Sequence, residues 1–430
     1  MPACHNFIPL LAGVFAVIGS AQAQSHIHTP DAPPEEEKSF WLHFSGQLRE
    51  RATYLSAIEY DAESEDAGWF WTQRARITAD AEAASWLRAR ASVVSALQEG
   101  GEITPIERND LDLQEGFIEF GPENSYLRFG RQEIRLGSQR LVAVRDGTNV
   151  RRTWDGARAR FKAGAWDLDA FALRLVDVDI GGVFNDGRNE GRELAGFYAT
   201  GPAPLGEVDL YYLYAEFDAR ETIEGIAIER RHSLGARVFG DSGRWFWDWE
   251  AIYQFGEQGA NDVSAWTIAA NTGYRFEGAR WSPEIMLSTN IASGDSDPGD
   301  GTLETFNALY PRGSYFSENA LLGPGNFFNI HPYLRARPRD DLLVFIDANF
   351  FWRLETADGV YGPPGNLVRA PLGSDARFVD VSVSVGAEWE ATENIFLSLL
   401  YTHSEPQRFI QETGPDNPVD FAEFTVAFSF

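Results

Sequence analysis

The chain has 430 residues, 44% hydrophobic and 13% aromatic, and a formal net charge of −28. That acidity argues against nucleic acid and against simple adsorption to anionic surfaces, while apolar residues spread evenly along the chain argue against disorder. The only cysteine, Cys4, falls within the first segment described below, so a disulfide framework, a Cys-ligated metal and thiol catalysis are excluded for the mature protein.

Phe7 to Gly19 is an apolar run followed by Ala21-Gln22-Ala23, which reads as a secretory signal cleaved after Ala23. It is too short to cross a bilayer as a helix, and its leading stretch holds only His5 in place of the usual Lys or Arg. Residues 24–38, with Pro33, Pro34 and Glu35 to Glu37, are expected to form a disordered periplasmic lead-in. From 39 to 430 there is no linker and no run of 18 apolar residues, so transmembrane helices are excluded and one continuous domain is expected.

That domain alternates with period two. Ala75, Ile77, Ala79 and Ala81 oppose Arg76, Thr78, Asp80 and Glu82; Val344, Ile346, Ala348, Phe350 and Trp352 oppose Asp347, Asn349, Arg353 and Glu355; Val379 to Val385 repeat the pattern against Asp380, Ser382 and Ser384. Segmentation at turn residues predicts strands over 40–56, 69–83, 86–98, 112–121, 125–137, 150–163, 165–177, 192–200, 207–218, 229–240, 244–256, 263–277, 281–293, 327–338, 341–356, 377–391, 394–408 and 420–430. These 18 strands are long enough to cross a membrane when tilted. Connections after odd strands are mostly long (57–68, 99–111, 138–149, 178–191, 219–228, 294–326, 357–376, 409–419), and those after even strands are mostly tight. Long loops on one rim and short turns on the other describe an all-β, up-and-down transmembrane antiparallel barrel with extracellular loops and periplasmic turns. An even count puts both chain ends in the periplasm. The chain ends Phe424-Thr425-Val426-Ala427-Phe428-Ser429-Phe430, like the terminal strand that outer-membrane proteins present to the barrel-assembly machinery, so Phe430 is expected to close the last strand on the first.

The stretch from Phe129-Gly130-Arg131-Gln132-Glu133-Ile134-Arg135 through Arg151-Arg152-Thr153-Trp154-Asp155-Gly156 resembles the bacterial alginate export family. Further matching blocks are Ala292-Ser293-Gly294-Asp295, Thr305-Phe306-Asn307, Tyr310 to Phe316, His331-Pro332 and Phe350-Phe351-Trp352-Arg353. The resemblance runs from about residue 40 to the C-terminus. It implies an 18-stranded outer-membrane barrel that passes an anionic polysaccharide outward through an Arg-lined pore, with any periplasmic scaffold a separate protein.

In a large barrel the polar face lines the lumen. Alternation puts Arg49, Arg51, Arg74, Arg76, Arg88, Arg90, Arg131, Arg135, Arg158 and Arg160 on that face in the first half, and Asp248, Glu250, Glu284, Asp347, Asp380 and Glu388 in the second, so cationic and acidic walls are expected to oppose each other. Arg152 and Arg353 join the candidate conduit, and Glu133 and Asp155 are candidates to position neighbouring arginines. Planar, permanently charged guanidinium suits carboxylates, and a ladder of such sites would pass a uronate chain along. The alternative is that these arginines pair with acids, for example Glu133 with Arg131 or Arg135, and only brace the barrel.

Trp69, Trp71, Trp245, Trp247, Trp249, Trp281, Trp352 and Trp389 fit interfacial girdles, with sugar stacking as the other reading. Asp295, Asp297 and Asp300 resemble a calcium loop only loosely and read as solvated turn acids; loop 294–326 is expected either to narrow the lumen or to cap it. No H-E-x-x-H, G-x-S-x-G or P-loop is present, so no enzyme and no cofactor is expected. The functions weighed are export of an anionic exopolysaccharide such as a polyuronate, uptake of small anionic or sugar-derived nutrients by a porin, and, least favoured, an outer-membrane hydrolase. The expected partners are outer-membrane lipid and lipopolysaccharide, the permeating anion and the assembly machinery.

Overall fold

The computed structural model describes residues 40–314, 319–363 and 365–430; the expected signal and lead-in lie outside them. The barrel strands are β1 (Trp41–Leu55), β2 (Gly68–Ala84), β3 (Leu87–Glu99), β4 (Asn109–Phe120), β5 (Tyr126–Gln132), β6 (Trp154–Ala163), β7 (Trp166–Asp177), β8 (Gly187–Ala203), β9 (Gly206–Thr222), β10 (Gly225–Ser242), β11 (Trp245–Gln258), β12 (Asn261–Arg275), β13 (Glu284–Ala292), β14 (Phe327–Arg339), β15 (Leu342–Trp352), β16 (Phe378–Glu390), β17 (Ile395–Pro406) and β18 (Val419–Ser429). Each pairs antiparallel with the next, and β18 returns to pair with β1 from Gln47↔Ser429 to Leu55↔Phe421. Closure leaves the sheet without a free edge strand, the condition for a sheet in lipid. The 18-stranded closed antiparallel barrel is therefore as expected.

The closing seam is made at the last residue. Phe430 and Gly46 exchange backbone hydrogen bonds of 3.2 and 3.1 Å, and the Phe430 ring lies over Gly46, where an added Cβ would sit 2.1 Å from its Cζ. Gly46→Val is expected to displace that ring and to cost about 1–3 kcal/mol by overpacking, read as a lower unfolding temperature of the heat-modifiable barrel.

Alternation sorts the two faces. Outward positions carry Phe44, Ile77, Ile118, Phe197, Leu234, Ile268, Ile346, Leu399 and Phe424, all exposed to the membrane. Aromatics gather toward both ends of this band. Trp69 packs on Tyr54 at 5.2 Å near the extracellular rim, and Trp245, Trp281 and Trp389 are exposed near the other. The girdle reading thus accounts for Trp69, Trp245, Trp281 and Trp389.

Strand ends differ from the sequence reading most at two connections, each for a physical reason. The expected long loop 219–228 is a two-residue turn, because β9 and β10 continue to Thr222 and Gly225, making strands of 17 and 18 residues. Conversely, β5 stops at Gln132 and β6 begins at Trp154. Between them the chain turns into the barrel, since Ile134, Leu136, Leu141, Val142, Val144 and Val150 are buried and too apolar for a solvated loop. Residues 178–186 then cover the gap above these short strands: Leu111 bridges to Val183, and the N–H groups of Asn185 and Asp186 donate to Asp112 Oδ2 at 2.6 and 2.9 Å.

The outer half of the lumen is consequently a packed core. Lumen-facing Phe171, Leu173, Leu194, Leu213, Phe217 and Ile252 meet Leu136, Leu141 and Val142 of one in-folded segment and Phe306, Leu309 and Tyr310 of another. Trp154 and Tyr310 meet edge to face at 4.7 Å. Tyr60 of the first loop and Phe409 and Ile410 of the short helix Arg408–Thr413 are also fully buried. Each such side chain contributes about 1.5–3 kcal/mol on burial, so the loops are fixed in the mouth. The described parts of loop 294–326 narrow the lumen, one of the loop's two expected dispositions.

Candidate functional site: the lumenal constriction

The in-folded segment 133–153 is held by arginines from the wall. Arg49 donates to the carbonyls of Asp146 (3.1 Å) and Thr148 (2.9 Å) and to Asn149 Oδ1 (3.3 Å). Arg74 donates to Thr148 O, Gln47 Oε1 and Asp146 Oδ1, and Arg51 to Gly147 O while pairing with Glu423 at 3.1 Å. Asn149 is fully buried and donates to the carbonyls of Gln73, Leu97 and Glu107. Glu133 accepts from Arg151 (2.6 Å) and faces Arg76 (3.5 Å). Burial opposes the ionisation of Asp146, but the guanidinium groups of Arg151, Arg74, Arg49 and Arg76 outweigh it and hold the carboxyl well below the usual range.

A second arginine group lines β3 to β6. Arg88 and Arg128 share Glu119 (3.0 and 2.5 Å), Arg90 pairs with Asp80 (2.7 Å) and Glu115 (3.3 Å), and Arg158 pairs with Asp169. Arg160, one lumenal step along β6, is exposed, as is Arg135 on the in-folded segment. Among the described residues neither has a hydrogen-bonding or ionic partner. Arg160 is therefore the unpaired positive charge of this wall, and Arg135 that of the in-folded segment.

The facing wall is mainly neutral. Ser288, Asn290, Asn329, Asn349, Ser382, Ser384, Thr402 and Ser404 line it, joined by bonds such as Asn329 to Asn349 at 2.8 Å. Four of the six acids expected on this wall are paired, while Asp380 accepts from Tyr60 OH at 3.3 Å. Asp248 and Glu250 are neutralised by Arg140 (3.0 and 2.6 Å), Asp248 also by Arg237 (2.8 Å), and Glu284 pairs with Arg335. Asp347 meets His331 at 2.9 Å.

Besides Glu133 and Arg135, which lie on the in-folded segment, four candidates are not on the lumenal wall. Arg131 and Asp155 pair at 3.0 Å, but they alternate with Arg128 and Arg158, which face inward, and so project outward. They open a row of charges in register across seven strands: Arg131, Asp155, Arg174, Glu193, Glu216, Arg230 and Glu257. Such a row cannot lie in hydrocarbon and marks the upper edge of the apolar band. Arg152 and Arg353 are staples between loops. Arg152 donates to the carbonyls of Ala143 (3.0 Å) and Tyr310 (2.5 Å). Arg353 is fully buried, donates to the carbonyls of Ala376, Thr356 and Asp358, and lies 4.1 Å over the Phe409 ring. Burial foremost, with Arg145 and Arg192 nearby, lowers Arg152 to about 9.

The sequence reading passed over Asp146, Asn149, Arg151, Arg128, Arg140 and Arg237. The clue for the first three was the break in period two across 133–153 together with its apolar content. Asp297 and Asp300 act as turn acids, Asp300 Oδ1 accepting from Thr302 N at 2.7 Å, and among the described residues no group of three or more His, Cys, Asp or Glu is arranged to hold a metal.

A family model described as alginate export matches residues 40–420. No curated protein sequence matches the chain. Among solved structures, OccK11 (OpdR) of Pseudomonas aeruginosa superposes with a TM-score of 0.60 at 13% identity, covering 92% of this chain and 98% of that one. OccK2 (OpdF) of the same organism, solved in complex with glucuronate, gives 0.58 at 13% identity over 90% and 95%, and OccAB2 of Acinetobacter baumannii gives 0.60 at 11% over 90% and 98%. At these identities the likeness is one of fold.

Proposed function

Because the chain belongs to the alginate export family of outer-membrane barrels, we propose that it conducts a carboxylate-bearing sugar polymer, an alginate-like polyuronate, outward by passive diffusion past an arginine-lined wall. The observation carrying this reading is the asymmetry of the lumen. Arg135 and Arg160 are exposed and unpaired, Arg88 and Arg90 are partly exposed beside them, and the opposite wall is mainly neutral. A carboxylate sliding along that wall meets guanidinium forks whose partial neutralisation keeps each site weak. Steering then favours anions in spite of the chain's overall acidity.

A second reading is uptake of small sugar acids. It is favoured by the packed loops, which leave little of the outer mouth open, and by the glucuronate bound in the OccK2 barrel of similar fold. Planar-bilayer recording separates the two. Oligouronates added on the periplasmic side should interrupt the current for times that lengthen with chain length if polymer is the cargo, whereas monomeric glucuronate alone should carry current if the cargo is small. Cation-selective current indifferent to both would sink either version.

A further inference from the structure

Two carboxylates lie where the in-folded connections after β13 and β15 meet. Asp358 is fully buried and Asp295 is 1% exposed. Asp358 accepts from Thr305 Oγ1 (2.6 Å), Tyr361 OH (2.7 Å), Gly359 N (2.6 Å) and Asp295 N (2.9 Å), four donors that favour its ionised form, although burial outweighs them and raises its carboxyl as well. Asp295 is poorly supplied. Its Oδ1 accepts only Asp297 N, at 3.3 Å, and its Oδ2 is buried without a partner. A buried carboxylate oxygen lacking a donor is costly, and protonation removes most of that cost.

The charged groups around the pair do not compensate. Glu224 comes from the β9–β10 turn, where it accepts from Gly299 N (2.5 Å) and Asn261 Nδ2 (3.1 Å). Glu304 comes from the same connection as Asp295 and accepts from Ser296 N (3.1 Å) and Oγ (2.5 Å). Both repel a charge on Asp295, as does Asp358. The cation beside Asp358, Arg353, is spent on backbone carbonyls, including that of Asp358 at 3.1 Å. Burial first, and these acids after it, raise the Asp295 carboxyl from 3.8 to about 7. Asn326 ties the same two connections together, donating to the carbonyls of Glu355 and Gly359, both at 2.9 Å.

We propose that Asp295 is a proton-operated latch: while protonated it lets the described stretches 293–314, 319–326, 353–363 and 365–377 stay packed in the barrel mouth, and its ionisation favours their release. The packed form keeps its proton up to about pH 7, whereas the released form keeps it only below about 3.8. Between those values release sheds one proton, so the release equilibrium rises about tenfold per pH unit; above 7 both forms are ionised and it levels off.

The test is the full-length protein in planar bilayers with the extracellular-side pH stepped from 4.5 to 8.5, scoring loop-opening events. Wild type should gain about tenfold in open-state occupancy per unit up to near pH 7 and then plateau. Asp295→Asn should show low occupancy with no slope. Amide hydrogen exchange of 293–314 in the wild type, corrected for intrinsic rates, should follow the same curve and decides the matter if the variant does not insert. A flat wild-type profile, or a slope that survives in Asp295→Asn, overturns the proposal.

Discussion

Arg49→Met is expected to raise single-channel conductance several-fold and to expose residues 133–153 to protease from the outside. Arg49 is 1% exposed and binds three acceptors on that segment. Removing one partner of a buried charged network costs about 3–5 kcal/mol, because the acceptors left behind stay desolvated. Asp146 would lose one of the cations that hold it ionised, with Arg74 and Arg151 left at 3.4 and 3.3 Å. That free energy corresponds to roughly two to three and a half powers of ten in the packed-to-released ratio. The barrel itself should persist, since the β1 ladders to β2 and β18 are backbone bonds. Unchanged conductance and unchanged protease resistance would mean that the apolar contacts of Leu141 and Val142 hold the segment without help from the wall arginines.

Reversing the two unpaired charges should have the largest effect on selectivity. Arg135→Glu combined with Arg160→Glu changes the lumenal charge by four, and a unit charge acting over several ångströms in a watery lumen is worth on the order of 1 kcal/mol. The anion-to-cation permeability ratio should therefore fall at least about tenfold, read as a shift of reversal potential in a salt gradient. The effect should weaken at high ionic strength. Arg131→Ala is the informative control. Arg131 projects outward and pairs with Asp155, so its loss should leave selectivity unchanged even if the barrel is less stable. A selectivity change in Arg131→Ala equal to that of the double reversal would contradict the assignment of faces.

Arg131 also shows where reading by alternation fails. Parity is reliable within a strand whose boundaries are known, and it placed Arg49, Arg74, Arg76, Arg88, Arg90, Arg158 and Arg160 on the lumenal wall. It fails at Arg131, inside the ladder, because the polar positions 131, 133 and 135 have the opposite parity to Arg128 and its partner Arg158, which face inward, and beyond Gln132 the ladder stops altogether. Once the ladder stops, spacing carries no information about direction. Pairing was equally invisible. That Arg88 and Arg128 converge on Glu119, or that Arg140 crosses the lumen to Asp248 and Glu250, depends on register between strands and on a segment returning from the far side of the barrel.

The sequence by itself determined the barrel: period two fixes an apolar and a polar face, long and short connections fix the two rims, and the aromatic C-terminus fixes the closing strand. These are local or nearest-neighbour properties, set by backbone geometry and by the need to present hydrocarbon to lipid. Only the tertiary structure decided that the outer half of the lumen is filled. It also decided that the arginines of β1 and β2 are committed to holding that filling, that those of β3 to β6 pair within the wall apart from Arg160, and that Arg135 on the in-folded segment is left without a partner. Those outcomes rest on contacts between residues a hundred or more positions apart, such as Arg49 with Asn149 and Trp154 with Tyr310, which only folding brings into reach.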